Sequence, residues 1–317
     1  MTAVDLIVLK GASPAGLGIS IEVLDAVNRI AGQRVVTWRI LSPAGAQTSA
    51  RGGLLIPAQP MVRAQPRDIA IVAGLGAGSE AELAARLAEP DAVQAARWIT
   101  RAWGRGTTVA ASCSGVFLLG QAGLLDGRRC TASWWLTPTL QGAFPQARPG
   151  ADAMVVEQDR VWTAGAGLAH VDLMLALVGR FVGPEIADST ARHLAADRRA
   201  SQACYVIPTD LAARDPLACK VEAVVRDRPA ATLADLAAAT GVPARTLARR
   251  IQAATGLSPM RFVQKIRLDT ALHLLQSTRL PLDAVAERLG FADAATLHRL
   301  VRRHTGRAPG SFRAADG

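Results

Sequence analysis

Lysine is almost missing from this chain: Lys10, Lys220 and Lys265 stand against 33 arginines. Aromatic residues make up 4% of the 317 residues, with tyrosine present once, so any core must be built mainly from aliphatic side chains. No uninterrupted apolar run approaches the ~20 residues that a membrane-spanning helix needs. Residues 1–10 carry no cationic lead and no cleavage-like site, so the short apolar run at 6–9 reads as a first strand and not an export signal. The four cysteines, Cys113, Cys130, Cys204 and Cys219, form no CxxC pair and have no histidine at metal-ligand spacing. That excludes a zinc finger and a disulfide framework, and it fits a reducing cytosol. Long Ser, Gly or Pro tracts are absent too, so most of the chain is expected to be packed. Its length is more than one core comfortably fills, which favours two domains.

What the chain does have is arginine, and it is unevenly placed. Residues 212–317 hold 17 Lys and Arg against 9 Asp and Glu, whereas residues 1–211 hold 19 against 17. An excess of cations in the last third suits a polyanion partner, because cationic side chains on nucleic acid release condensed counterions, although an arginine-rich base composition alone would also raise the charge.

The same third contains an internal repeat. Leu236, Ala237, Gly241 and Val242 recur 49 residues later as Val285, Ala286, Gly290 and Phe291. After a one-residue insertion, Leu247, Arg249, Ile251, Thr255, Gly256, Pro259 and Phe262 recur as Leu297, Arg299, Val301, Thr305, Gly306, Pro309 and Phe312. Each unit reads as helix, tight turn, helix. In the first, Thr232 with Asp235 three residues on predicts a cap, residues 233–240 a helix, and Gly241 its left-handed stop. Pro243 then opens a second helix with Leu247 and Ile251 facing inward and Arg245, Arg249 and Gln252 facing out. In the second unit Leu297 and Val301 face inward, while Ala295, His298, Arg299 and Arg302 face out. A short helix presented in this way fits the major groove, where arginine bonds a guanine edge with two hydrogen bonds. Residues 259–277 between the units predict a longer helix with a polar stripe of Arg261, Lys265, Asp269 and His273 and apolar residues around the rest of its circumference.

The stretch 215–315 resembles an AraC/XylS-type DNA-binding domain, most specifically over Leu289-Gly290-Phe291-Ala292-Asp293 and Thr305-Gly306-Arg307-Ala308-Pro309. The resemblance implies base contacts from Arg245 and Arg249 in the first unit, His298 and Arg299 in the second, and a phosphate contact from Arg302. Ala294 and Ala295 replace the family's frequent polar residues at the start of the second reading helix, which implies weaker or apolar base reading there. The expected partner is double-stranded DNA.

The first part of the chain alternates strand and helix patterns. Apolar runs at 6–9, 35–41, 69–73 and 109–111 predict buried strands, and residues 19–31, 80–88, 91–103 and 115–122 predict helices between them. The expected class is α/β, a parallel-sheet sandwich, followed by an all-α domain of two helix-turn-helix units. The expected division is 1–186, a connection at 187–214, and 215–317. One motif carries chemistry: Ala111-Ser112-Cys113-Ser114-Gly115 follows a strand, opens a helix and flanks Cys113 with small residues two positions away. This is the pattern of a nucleophile elbow, and a helix N-terminus favours the thiolate. A small hydrophobe at a crowded turn would give the same pattern. Cys113 and Ser114, with Gly74 at the end of the preceding strand, are candidate pocket residues, since ligands of such sheets gather at the carboxyl ends of the strands.

This part resembles the PfpI-like branch of the class I glutamine amidotransferase-like superfamily, with a flavodoxin-like sheet, and the whole chain resembles GlxA-type regulators. Ser42-Pro43-Ala44-Gly45, the Cys113 elbow and Ala122-Gly123-Leu124-Leu125-Asp126-Gly127-Arg128-Arg129 carry the likeness. Catalytic members pair the thiol with a histidine and often an acid. Here Ser133 stands in the histidine's place, which the resemblance adds to the candidate pocket residues, and Gly16 near the acid's, with Glu22 a weak substitute, and His170 and His193 are read as packing or surface residues. The resemblance therefore implies a regulator, not an enzyme, whose first domain binds a small-molecule effector or dimerises. It implies a cytoplasmic homodimer, and a contact with RNA polymerase if the protein activates. No cofactor and no metal are implied. The alternatives are a cysteine-dependent hydratase or amidase, and a thiol sensor that uses Cys113 with Cys130 as a resolving partner.

Overall fold

The computed structural model describes residues 1–313, so 314–317 of the expected second domain lie outside the described residues. The chain forms two compact units, 1–200 and 201–317, each with its own core.

In the first unit, strands β1 (Thr2–Ile7) and β2 (Val36–Ser42) flank helix α1 (Pro14–Ile30), and a small hairpin follows, β3 (Gln47–Ser49) with β4 (Leu55–Pro57). Next come β5 (Gln59–Pro60), β6 (Ile69–Val72), α2 (Glu80–Ala88), α3 (Pro90–Gly104), β7 (Thr108–Ser112) and α4 (Val116–Gln121). A short parallel pair, β8 (Arg129–Cys130) and β9 (Arg148–Pro149), brackets α5 (Thr137–Ala143). The unit closes with β10 (Val155–Gln158), β11 (Val161–Ala164), α6 (Ala169–Phe181) and α7 (Pro184–His193). The main sheet has the order β10-β11-β7-β6-β1-β2-β5. It is parallel except for β10, which pairs antiparallel with β11 at one edge, a strand that the alternating pattern did not predict. Each residue of β6 and β7 is buried, as a strand with helices on both faces requires. One core lies under α2, α3 and α4, with Trp98, Ile99 and Phe117 at its centre. The other lies under α1, α6 and α7, built from residues such as Val23, Val27, Leu173 and Leu177.

The second unit is all helical: α8 (Pro208–Ala212), α9 (Pro216–Asp227), α10 (Leu233–Thr240), α11 (Ala244–Thr255), α12 (Pro259–Ser277), α13 (Leu282–Arg288) and α14 (Ala294–Thr305). No helix of the described residues is long and apolar enough to cross a membrane.

Residues 187–214, expected as the connection, divide between the two units. Ala187, Thr190 and Ala191 of α7 are buried, and Arg199 closes on the Asp172 carboxylate of α6 at 2.6 Å, which holds the chain in the first unit up to residue 200. Leu211 and Ala212 of α8 are buried in the second unit, and Thr209 donates to Glu222 of α9 at 2.6 Å. Lys265, read as part of a polar stripe, is 5% exposed and its Nζ donates to the Ala203 carbonyl. Residues 201–207 cover that flank of α12, so the ammonium is taken out of water and bonded to a backbone oxygen instead.

Candidate nucleic-acid interface and elbow site

The two helix-turn-helix units are built alike. Thr232 and Asp235 make the expected capping box: the Asp235 N–H donates to the Thr232 hydroxyl at 3.3 Å and the Thr232 N–H to the Asp235 carboxylate at 2.8 Å. Gly241 and Gly290, equivalent in the repeat, take the turn at φ +69° and +68°. On α11 Leu247 and Ile251 are fully buried, and Arg245 and Arg249 are exposed. Arg250, on the flank, pairs with Asp215 at the start of α9, with its Nε at 3.0 Å, and so fixes the rotation of α11. Gln252 is exposed, and its amide donates to the Gly256 carbonyl at 2.9 Å at the end of the same helix.

On α14 Leu297, Leu300 and Val301 are buried, Arg299 and Arg302 exposed, and His298 half-buried. A relay that the sequence reading missed runs along the first turn. The Thr296 hydroxyl and N–H hold the Asp293 carboxyl below the usual carboxylate range, and Arg299 Nη2 donates to Thr296 Oγ1 at 2.9 Å. The guanidinium of Arg299 is thereby tethered, whereas those of Arg245 and Arg249 have no hydrogen-bond or ion-pair partner among the described residues. The available signal was Asp293, a capping residue just before the helix.

In the first unit the elbow is real. Cys113 has φ +55°, a left-handed backbone that costs a non-glycine residue roughly 1–3 kcal/mol. Its N–H donates to the Gly165 carbonyl at 2.9 Å. The small neighbour at Gly115 is required by space, because a Cβ there would stand 2.7 Å from the Ala73 carbonyl oxygen. All four pocket candidates meet: Ser133 Oγ donates to Cys113 Sγ at 3.0 Å, and Ser114 Oγ accepts from the Leu75 N–H at 2.9 Å. A Cβ on Gly74 would touch Ser114 Oγ at 3.6 Å and Cys113 Cβ at 3.8 Å.

Among the described residues no base serves this thiol. Ser133 is a hydroxyl that gives its proton to sulfur. His170 is fully buried, with Nδ1 2.8 Å from Ser112 Oγ and Nε2 2.7 Å from Ser20 Oγ. Since Ser20 donates its own proton to the Gly16 carbonyl at 2.9 Å, Nε2 carries the imidazole proton and Nδ1 accepts from Ser112. Both ring nitrogens are committed, and burial lowers the imidazole pKa to about 4. His193 is exposed and bonded to the Ser189 carbonyl, and Glu22 is exposed. Cys130 is buried, which pushes its thiol up to about 11 and disfavours the thiolate that a resolving cysteine needs.

Comparison with known proteins agrees with both halves. The DJ-1/PfpI family matches residues 4–180, and a helix-turn-helix domain matches residues 236–315. The chain is 28% identical over 314 residues to the HTH-type transcriptional regulator GbdR of Pseudomonas aeruginosa, covering 97% of this chain and 83% of that protein. It is 30% identical over 220 residues to the HTH-type transcriptional regulator GlxA of Rhizobium meliloti, covering 67% of each. In fold, an AraC family transcriptional regulator from Pseudomonas putida superposes with TM-score 0.53 at 22% identity, over 61% of this chain and all of that one. The chain belongs to the DJ-1/PfpI family and is an AraC-family DNA-binding transcriptional regulator that carries a DJ-1/PfpI effector domain.

Proposed function

We propose that α11 and α14 are the reading helices, with Arg245, Arg249, His298 and Arg299 at base edges and Arg302 on phosphate. The observation that carries this reading is the repeated geometry: in each unit a buried Leu and a buried β-branched residue one turn apart turn an arginine at the same repeat position, Arg249 or Arg299, into solvent. Arginine that bonds guanine in bidentate fashion discriminates by about 1–3 kcal/mol, or roughly 5- to 150-fold in affinity. Arg249→Ala and Arg299→Ala should each weaken binding to the selected operator by that factor, read by fluorescence anisotropy on DNA recovered from genomic selection. Unchanged affinity in both would remove these helices from the interface.

The elbow of the first unit supports an effector site rather than a catalytic one. Cys113, Ser114, Ser133 and Gly74 converge at the carboxyl end of β7 around a partly exposed thiol, with hydroxyls and a fixed backbone but, among the described residues, no base on the thiol. The ligand is a small molecule, whose binding shifts the population of DNA-competent arrangements. The protein acts in the cytoplasm as a homodimer, and RNA polymerase is a further partner where it activates.

A further inference from the structure

The first unit carries a second concavity that the elbow does not use. It lies on the α2–α3 face of the sheet, between α3 and the segment 61–66 that follows edge strand β5, and encloses about 840 Å³. The residues beneath it are apolar and closed to solvent. Met61 is 0% and Trp98 2% exposed, and the Trp98 indole N–H donates to the Ala64 carbonyl at 3.1 Å, which ties the segment to the helix. Val62, left 59% exposed, forms one wall, and Val93 lines the helix side.

The rim is cationic. Arg97 and Arg101 are one turn apart on α3, and both line the cavity. Both are exposed, and among the described residues neither guanidinium has a hydrogen-bond or ion-pair partner. Like charges four residues apart destabilise a helix slightly, and here no carboxylate relieves them. Arg101 also borders a smaller adjoining recess of about 100 Å³ with Arg63 and Arg105, which extends the positive edge. A groove walled by the accessible Val62 and Val93, with two unpaired guanidiniums at the lip, matches one chemistry: an organic anion with an apolar body and a carboxylate or similar head. Pockets of this size suit small organic ligands, with apolar walls supplying affinity and a few polar groups orientation.

We propose that this cleft is a binding site for an amphipathic organic anion, separate from the Cys113 elbow. No residue of the elbow lines it. The probe is sodium octanoate, titrated into the full chain by isothermal calorimetry, with 1-octanol as the neutral comparison. Octanoate should bind saturably at one site, with 1-octanol at least tenfold weaker. Arg97→Ala/Arg101→Ala should weaken octanoate at least tenfold and leave 1-octanol unchanged, while Cys113→Ala changes neither. Both arginines are exposed, so the fold should survive, as tryptophan fluorescence will report. Absence of saturable binding, binding indifferent to the two arginines, or binding lost in Cys113→Ala each overturns the proposal. Conversion from dimer to monomer by the arginine substitutions in sedimentation, without octanoate binding, would assign this face to a second copy of the chain and overturn it too.

Discussion

Replacing Gly241 or Gly290 by alanine puts the repeat to a quantitative test. The two glycines are equivalent in sequence and in backbone, at φ +69° and +68°, so alanine at either pays the same left-handed penalty of roughly 1–2 kcal/mol. The lower unfolded-chain entropy of alanine offsets part of that, by about 0.4–1 kcal/mol. The surroundings differ. A Cβ at Gly241 meets nothing within 4 Å, while one at Gly290 would stand 2.8–2.9 Å from Ala230 Cβ, Cα and N. Two of those atoms are backbone, so relief requires the α9–α10 connection to move, at an overpacking cost of about 1–3 kcal/mol. Gly241→Ala should therefore cost about 1 kcal/mol and Gly290→Ala about 2–4 kcal/mol. For a unit of this size each kcal/mol lowers the melting temperature by about 4 °C, so the expected shifts are about 4 °C and about 8–16 °C. The chain supplies its own probes. All six tryptophans, at 38, 98, 103, 134, 135 and 162, lie in the first unit, and none in the second. Circular dichroism at 222 nm should thus show the loss, and tryptophan fluorescence excited at 295 nm should not. Equal shifts in the two variants would refute the packing argument, and a matching shift in tryptophan fluorescence would refute the placement of the strain in the second unit.

Two further outcomes follow from hydrogen bonds. Thr296→Val removes the hydroxyl that accepts from Arg299 and should weaken operator binding about fivefold, near 1 kcal/mol. In an Arg299→Ala background it should change nothing, and a double-mutant cycle with no coupling would show that the tether is idle. For His170 the folded pKa of about 4 lies below its ordinary value near 6.5, so the unfolded chain takes the proton first. Its stability contribution is complete above pH 6.5 and is lost as the pH falls from 6.5 to 4, by up to about 3 kcal/mol. Urea unfolding followed by tryptophan fluorescence should show this slope in the native chain and a shallower one in His170→Gln, and parallel slopes would contradict it.

Local rules made much of this protein legible. The cap at Thr232, the glycine stops and the 3.6-residue spacing of Leu247 and Ile251 act within a few residues, so α10, α11 and α12 follow from the sequence nearly to their ends. The same holds for the elbow, because crowding at a strand-to-helix turn restricts adjacent positions to small side chains, as Gly115 against Ala73 demonstrates. Tertiary contacts decided the rest. Lys265 falls on a polar stripe by spacing, yet residues 201–207, some sixty positions away in the chain, cover it. Gln252 falls on the outward face by periodicity, and a carbonyl left open at the helix end takes its amide. His170 becomes inert only because Ser20 and Ser112, from two other elements, occupy both ring nitrogens. Periodicity records which way a side chain points, whereas what it meets there depends on segments that only folding brings alongside.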